Sequence, residues 1–354
     1  MLVVLSHVGV LPNGYVGVDL FFALSGFLIT SLLYEECERL GRISLRRFYG
    51  RRARRLLPAL GLLLLLALVV NVACYRLAGW PFIDKAATTT LFVNNWLAAS
   101  GHARDLGSLN PTWSLAQEEQ FYAVWPVALL LLLRLQAQPP LIAASLMAVA
   151  AMLISLAPMG AAHGYAIYYS PAARATEPLL GCLGAVVWRH RLMRGLAARL
   201  PRGVRARARM RGHWRSAVLA VCVGLFAFLL LNATFPVAEV YLAACVLSVV
   251  LVVNLLEAPT SLPARVLSSG PLRFLGRISY AFYLVHLLVR NVIYHYMSGS
   301  PLYLNALVTL AVSAGIASAS WFLLESRVLR HRRDTSRARG RVRSRGPRLA
   351  EARM

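Results

Sequence analysis

Apolar runs longer than the roughly 18 residues needed to cross a bilayer recur along this chain, and arginine-rich segments separate them. That alternation points to one broad architecture, an all-α polytopic transmembrane helical bundle. With 58% hydrophobic residues and a mean hydropathy of +0.59, no segment between the runs has the apolar periodicity to build a soluble core. The formal charge of +24, from 38 Lys+Arg against 14 acids, would suggest nucleic acid in a soluble chain. Clustered between spans, it reads instead as positive-inside loops that meet anionic headgroups. Membrane lipids, and no nucleic acid, are the expected partners. Cys37, Cys74, Cys182, Cys222 and Cys245 are scattered without metal-ligand spacing, and no metal is expected.

Residues 1–8 cover ~12 Å as a helix, against ~30 Å of hydrocarbon. An upstream start that completes this first helix is therefore expected. Further spans are expected near 17–34, 56–75, 113–135, 141–156, 174–188, 217–231, 240–256, 272–297 and 302–324, with Pro58 in the first turn of the third. The connection 76–110 carries few positive charges and reads as an outer loop with a re-entrant or surface helix around 88–99. The segments 42–55 and 189–215 are strongly basic and read as cytoplasmic. This predicts about ten spans in the cell membrane, both termini cytoplasmic once the first helix is completed. Residues 1–326 form the transmembrane domain and 327–354 an arginine-rich, disordered cytoplasmic tail.

Polar residues at membrane depth narrow the function. His7 and Asp19 stand on either side of a short turn, at the outer ends of the first two spans. Ionisable groups in such places are kept mainly where they face a cavity and do chemistry or conduction, although a histidine can equally serve as an interhelical hydrogen-bonder. Ser114 and Glu118 are four apart and share a helix face, with Phe121, Tyr122 and Trp125 around it, or with Trp113, Tyr122 and Trp125 forming an interfacial aromatic belt. Arg51, Arg52 and Arg55 sit in a run whose guanidinium groups suit phosphate as well as positive-inside anchoring. Ser279, Tyr283, His286 and Arg290 make one polar stripe on an apolar helix. Arg174 and Glu177, at an outer helix start, read as a local ion pair or as helix-end charges.

In this order, these stretches resemble the membrane acyltransferase-3 family of polytopic O-acyltransferases. The resemblance runs from about Leu2 to Glu325 and rests on Leu5-Ser6-His7, Gly17-Val18-Asp19-Leu20-Phe21-Phe22, and Phe48-Tyr49 with Arg51, Arg52 and Arg55. It rests equally on Thr112-Trp113-Ser114-Leu115 with Glu118, and on Ile278-Ser279-Tyr280 with Tyr283 and His286. The family's first helix and early arginine have no match in residues 1–8. The resemblance implies an acyl-CoA donor, most often acetyl-CoA, supplied from the cytoplasm. The acceptor it implies is a hydroxyl of a cell-envelope saccharide or of a glycosylated secondary metabolite. It also implies that His7 is the essential histidine, that Arg51, Arg52 and Arg55 meet the CoA phosphates, and that Glu118 is the acid of the family's Ser-Leu-x-x-Glu motif.

Residue chemistry agrees with what the resemblance implies. A hydroxyl is a weak nucleophile until a base takes its proton, and a histidine oriented by an acid can do so near neutral pH. Asp19 is the expected orienting acid, with Glu118 as the alternative. Trp113, Ser114, Tyr283, His286 and Arg290 are expected to support the substrate site, and Ser114 and Arg290 remain open as oxyanion donors. Since the arginines are expected inside and His7 toward the outside, the donor's pantetheine arm would have to thread between helices. The rival reading is a transporter or flippase of a lipid-linked saccharide that makes no ester.

Overall fold

The computed structural model describes residues 1–75, 80–156, 168–190, 212–232 and 237–328. Among these residues there is no strand. The helices are α1 (Leu2–His7), α2 (Val16–Leu40), α3 (Leu45–Tyr75), α4 (Trp80–Thr90), α5 (Asn94–Leu97), α6 (Thr112–Arg134) and α7 (Pro139–Leu156). They continue with α8 (Pro171–Arg189), α9 (Gly212–Leu231), α10 (Val237–Glu257), α11 (Leu262–Leu267), α12 (Gly270–Tyr296) and α13 (Leu302–Ser320). Each expected span is a helix. By length and apolar composition α2, α3, α12 and α13, the last continued to Val328, are able to cross a membrane. Shorter apolar stretches in α7, α9 and α10 accompany them. Leu24, Leu28 and Leu32 on α2 and Leu65, Leu68 and Val72 on α3 are exposed large apolar side chains. Rows of this kind are costly in water and at home in lipid.

The connection between α3 and α6 is more helical than expected, with α4 starting at Trp80 and α5 covering Asn94–Leu97. Most of the basic segment 189–215 and of the tail 327–354 lies outside the described residues. In α3 the helix does not begin near Leu56. It starts at Leu45, so the arginine run and the span are one helix and Pro58 is interior to it. Arginine is a good helix former, and the carboxylates of neighbouring helices reward this extension, as described below.

Two apolar clusters flank a polar seam. One gathers Leu56, Leu60 and Leu63 of α3 with Ile278, Leu284 and Leu288 of α12. The other gathers Ile29 and Leu33 of α2 with Trp125 and Leu129 of α6, Ile142 of α7 and Val186 of α8. α2 and α8 meet backbone to backbone. A Cβ built on Gly26 would fall 1.9 Å from the Pro178 carbonyl oxygen, and one on Gly181 2.1 Å from that of Ala23. Small residues at such crossings are how membrane helices come close enough for dispersion to hold them. α8 itself starts where Ser170 caps the Ala173 amide at 3.4 Å, with Pro171 at its first position. The cap and the glycine contact together set the depth of Arg174.

Candidate functional site

The seam contains three linked groups of polar side chains. In the first, Arg174 of α8 bonds Asp19 Oδ1 of α2 at 2.7 Å and Glu177 Oε1 at 2.6 Å, all three side chains buried. Its guanidinium lies 5.2 Å from the Trp113 ring centre and 4.9 Å from that of Tyr168. Tyr168 belongs to the segment before α8, where burial pushes its phenol well up and keeps it neutral beside the cation. In the second group, Arg52 of α3 points inward. It bonds Glu118 at 3.0 Å and Glu119 at 2.6 Å and stacks 3.3 Å over the Tyr122 ring. The Ser25 hydroxyl donates to Glu118 at 2.9 Å, tying α2 to α6.

The third group carries an unshared proton acceptor. His7 Nδ1 lies 2.8 Å from His286 Nε2, with the ring planes 10° apart. His286 is fully buried, and its Nδ1 donates to the Tyr283 carbonyl one helical turn back. A carbonyl only accepts, so the neutral His286 ring holds its proton on Nδ1 and offers a lone pair at Nε2. His7 must then carry its proton on Nδ1, which leaves His7 Nε2 unprotonated. His7 is exposed, while its partner ring is dry. The Tyr283 hydroxyl is 2.7 Å from Ser114 Oγ and donates to the Pro111 carbonyl at 3.1 Å. A cavity of about 70 Å³ opens here, lined by Ser6, His7, Tyr15, Asn110, Trp113 and Tyr283 among others. Ser114 and Glu118 are one turn apart on α6, so the Arg52 group lies only ~6 Å along that helix from the Ser114–Tyr283 pair.

Two expectations need correction. Neither Asp19 nor Glu118 orients His7: Asp19 is held by Arg174, Glu118 by Arg52 and Ser25, and His286 makes the bond to the imidazole. Nor do the side chains of Arg51, Arg52 and Arg55 point to one place. Arg52 is turned into the bundle and neutralised by two carboxylates, whereas Arg51 bonds Glu36 at 3.1 Å and, like Arg55, is exposed. The helix periodicity explains the split, since positions 51 and 55 share a face that 52 does not.

Of the stripe on α12, Tyr283 and His286 belong to the site. Ser279 is exposed and bonded to the Gly276 carbonyl. Arg290 does not line the His7 cavity; it reaches Asn291 Oδ1 at 3.4 Å and sits 4.6 Å over the Tyr294 ring. Arg174 was legible only as half of a local pair, and its position inside an apolar helix was the available signal for a distant partner. Among the described residues no three His, Cys, Asp or Glu side chains are gathered so as to hold a metal ion.

Comparison with known proteins bears on what this seam serves. The acyltransferase domain family matches residues 1–325. The chain is 30% identical over 284 residues to the peptidoglycan O-acetyltransferase of Listeria monocytogenes, covering 77% of this chain and 44% of that protein. It is 28% identical over 330 residues to a putative peptidoglycan O-acetyltransferase of Bacillus subtilis, 88% of this chain and 50% of the relative. It is likewise 28% identical over 342 residues to the O-acetyltransferase of Staphylococcus aureus, 89% of this chain and 53% of the relative. The chain thus spans about half the length of the curated relatives it matches. No solved structure matches it significantly. A family match over nearly the whole described bundle, on a helical membrane scaffold, places this chain in the acyltransferase-3 family.

Proposed function

We propose that the chain moves an acetyl group from an acyl-CoA donor to a hydroxyl of a cell-wall saccharide at the membrane surface. The observation that carries this reading is the ring pair His7–His286, anchored on the Tyr283 carbonyl and facing a cavity. It leaves a neutral histidine with a lone pair where a hydroxyl can reach it. In the proposed reaction the acceptor O–H gives its proton to His7 Nε2 as its oxygen attacks the thioester carbonyl. The Tyr283 phenol, which lines the same cavity, turns its one proton from the Pro111 carbonyl to the carbonyl oxygen on which charge develops. Collapse breaks the C–S bond, and the leaving CoA thiolate takes the proton back from His7. The acetyl ester and free CoA are the products.

Arg51 and Arg55, exposed and one turn apart, are the proposed contacts for the CoA phosphates. Arg52 fixes α3 against α6 and so sets the depth of that face. Orientation follows from the basic ends: the arginine end of α3 is cytoplasmic and His7 lies toward the opposite face. The saccharide acceptor and the acetyl group are supported by the names of the relatives, of which one is a peptidoglycan O-acetyltransferase and a second a putative one.

The test is transfer of radiolabelled acetyl from acetyl-CoA in membranes holding the chain, with cell-wall saccharide present, beside the His7→Ala variant. Base-labile label in the saccharide that falls by about 10²–10⁴-fold in the variant is expected. Label absent in every form, with labelled saccharide moving across the membrane, would replace this reading by a flippase.

A further inference from the structure

A second cavity, of about 190 Å³, lies near the far ends of α3 and α12, away from the arginine end of α3. It is lined by Asn71 of α3, Phe82 and Lys85 of α4, Gly107 and Ser108 of the turn before α6, and Asn291 of α12, among others. Four of these side chains are polar, and one of them is charged.

Lys85 is the chain's only lysine. It is half-buried, and among the described residues no carboxylate pairs with it. Asp84 and Asp105, the acids of this connection, do not line the cavity. Ser108 Oγ accepts the Asn291 amide at 3.0 Å, which leaves its own proton free to donate. Asn71 uses one N–H on the Ala67 carbonyl at 2.7 Å and keeps a second. An ammonium and two free donors, with no acid to answer them, make a site for an oxyanion.

The position of the cavity says which oxyanion. The turn that contributes Gly107 and Ser108 continues into Asn110 and Pro111, which line the His7 cavity, so one stretch of chain is the wall between the two. On α12, Leu287 lines the His7 cavity and Asn291 the second one. They share a face and stand ~6 Å apart along the axis. The two cavities are therefore neighbours across this turn.

We propose that this cavity binds the carboxylate or phosphate of an acidic saccharide, and that the acceptor is selected for carrying that charge next to the hydroxyl to be esterified. The proposal rests on the acyl-transfer reading for its second half; binding of the anion stands on the cavity alone.

The experiment measures binding to the purified full chain in nanodiscs, using glucuronate, glucose 6-phosphate and glucose as probes. Acetyl transfer to the same three sugars is followed in parallel. Wild type is expected to bind at least one acidic sugar about ten-fold or more tighter than glucose, a charge-assisted contact's worth. Lys85→Gln should abolish that preference and Lys85→Arg should retain most of it. Charge-dependent binding without transfer to any sugar would sink the acyl-transfer reading and leave the cavity assignment standing. Equal binding of the three sugars, or a preference unchanged in Lys85→Gln, would overturn the cavity assignment. Repeating the binding in phosphatidylglycerol and in phosphatidylcholine discs separates the sources of the anion. Acidic-sugar binding that vanishes only in phosphatidylglycerol, together with Lys85-dependent retention of that lipid, would assign the cavity to a headgroup and overturn the saccharide.

Discussion

Replacing His286 by methionine or by glutamine separates packing from proton placement. The two side chains are similar in size and flexibility, but only glutamine presents an oxygen at the depth where His286 Nε2 now accepts from His7. In His286→Met the His7 Nδ1–H faces no acceptor, and the ring is free to turn or to move its proton to Nε2. Either change removes the lone pair from the cavity. The lost contact is one neutral hydrogen bond beside a fully buried group, about 1–1.5 kcal/mol. Passed entirely into the barrier, that is a fall of roughly five- to thirteen-fold in kcat for acetyl transfer, with KM for acetyl-CoA little changed. His286→Gln should recover most of the loss. The assay is steady-state transfer in detergent, with thermal unfolding of both variants to show that each is folded. Equal rates for Met and Gln at equal stability would refute the claim that His286 acts by fixing the His7 proton.

Arg174→Met should cost about 3–5 kcal/mol of stability, because Asp19 and Glu177 are left buried without a cation; thermal unfolding of this variant and of the triple change with Asp19→Asn and Glu177→Gln checks it, the triple being the more stable. Arg51→Gln and Arg52→Gln should part company: the first raises KM for acetyl-CoA with little change in melting temperature, because Glu36 keeps the Ser44 amide at 3.2 Å and Arg47 at 3.9 Å, whereas the second lowers the melting temperature by stranding Glu118 and Glu119. Gly26→Leu should force α2 from α8 and destabilise the bundle by about 1–3 kcal/mol or more, since even a Cβ there meets the Pro178 carbonyl at 1.9 Å. Loss of folded protein in that variant, with Gly61→Leu on the open side of α3 tolerated, is the expected pattern.

The helices were legible because a bilayer demands long apolar runs, and their ends carried arginine, proline or glycine. Gly41, at φ 65°, stops α2 where the apolar run gives way to charge. The polar seam was legible as a set of residues but not as a set of pairs. Asp19 and Arg174 are 155 positions apart, and His7 and His286 are 279 apart. Spacing on one helix says which face a side chain shares, as it did for Tyr283 and His286, and nothing about which distant helix comes to meet it. Proximity in sequence therefore suggested Asp19 as the companion of His7. The structure gives Asp19 to a stronger bidder, a buried guanidinium, and meets His7 with a second imidazole. The arginine run misled in a different way. Its composition suited positive-inside anchoring and phosphate alike, and the resemblance assigned Arg51, Arg52 and Arg55 to the CoA phosphates together, whereas the 3.6-residue period sends Arg52 into the core and leaves Arg51 and Arg55 outside.

The long reach of the Asp19–Arg174 bond also has a consequence for biosynthesis. Asp19 leaves the ribosome 155 residues before its counter-ion exists, an interval of roughly 8–30 s at ordinary rates of elongation. Through that time α2 must wait at the insertion machinery with an unanswered acid. Its place in the first turn of the helix keeps the carboxyl within reach of interfacial water until α8 arrives. Substitutions of Arg174 should accordingly reveal themselves first as chains cleared by membrane proteases during synthesis, ahead of any defect in the finished protein.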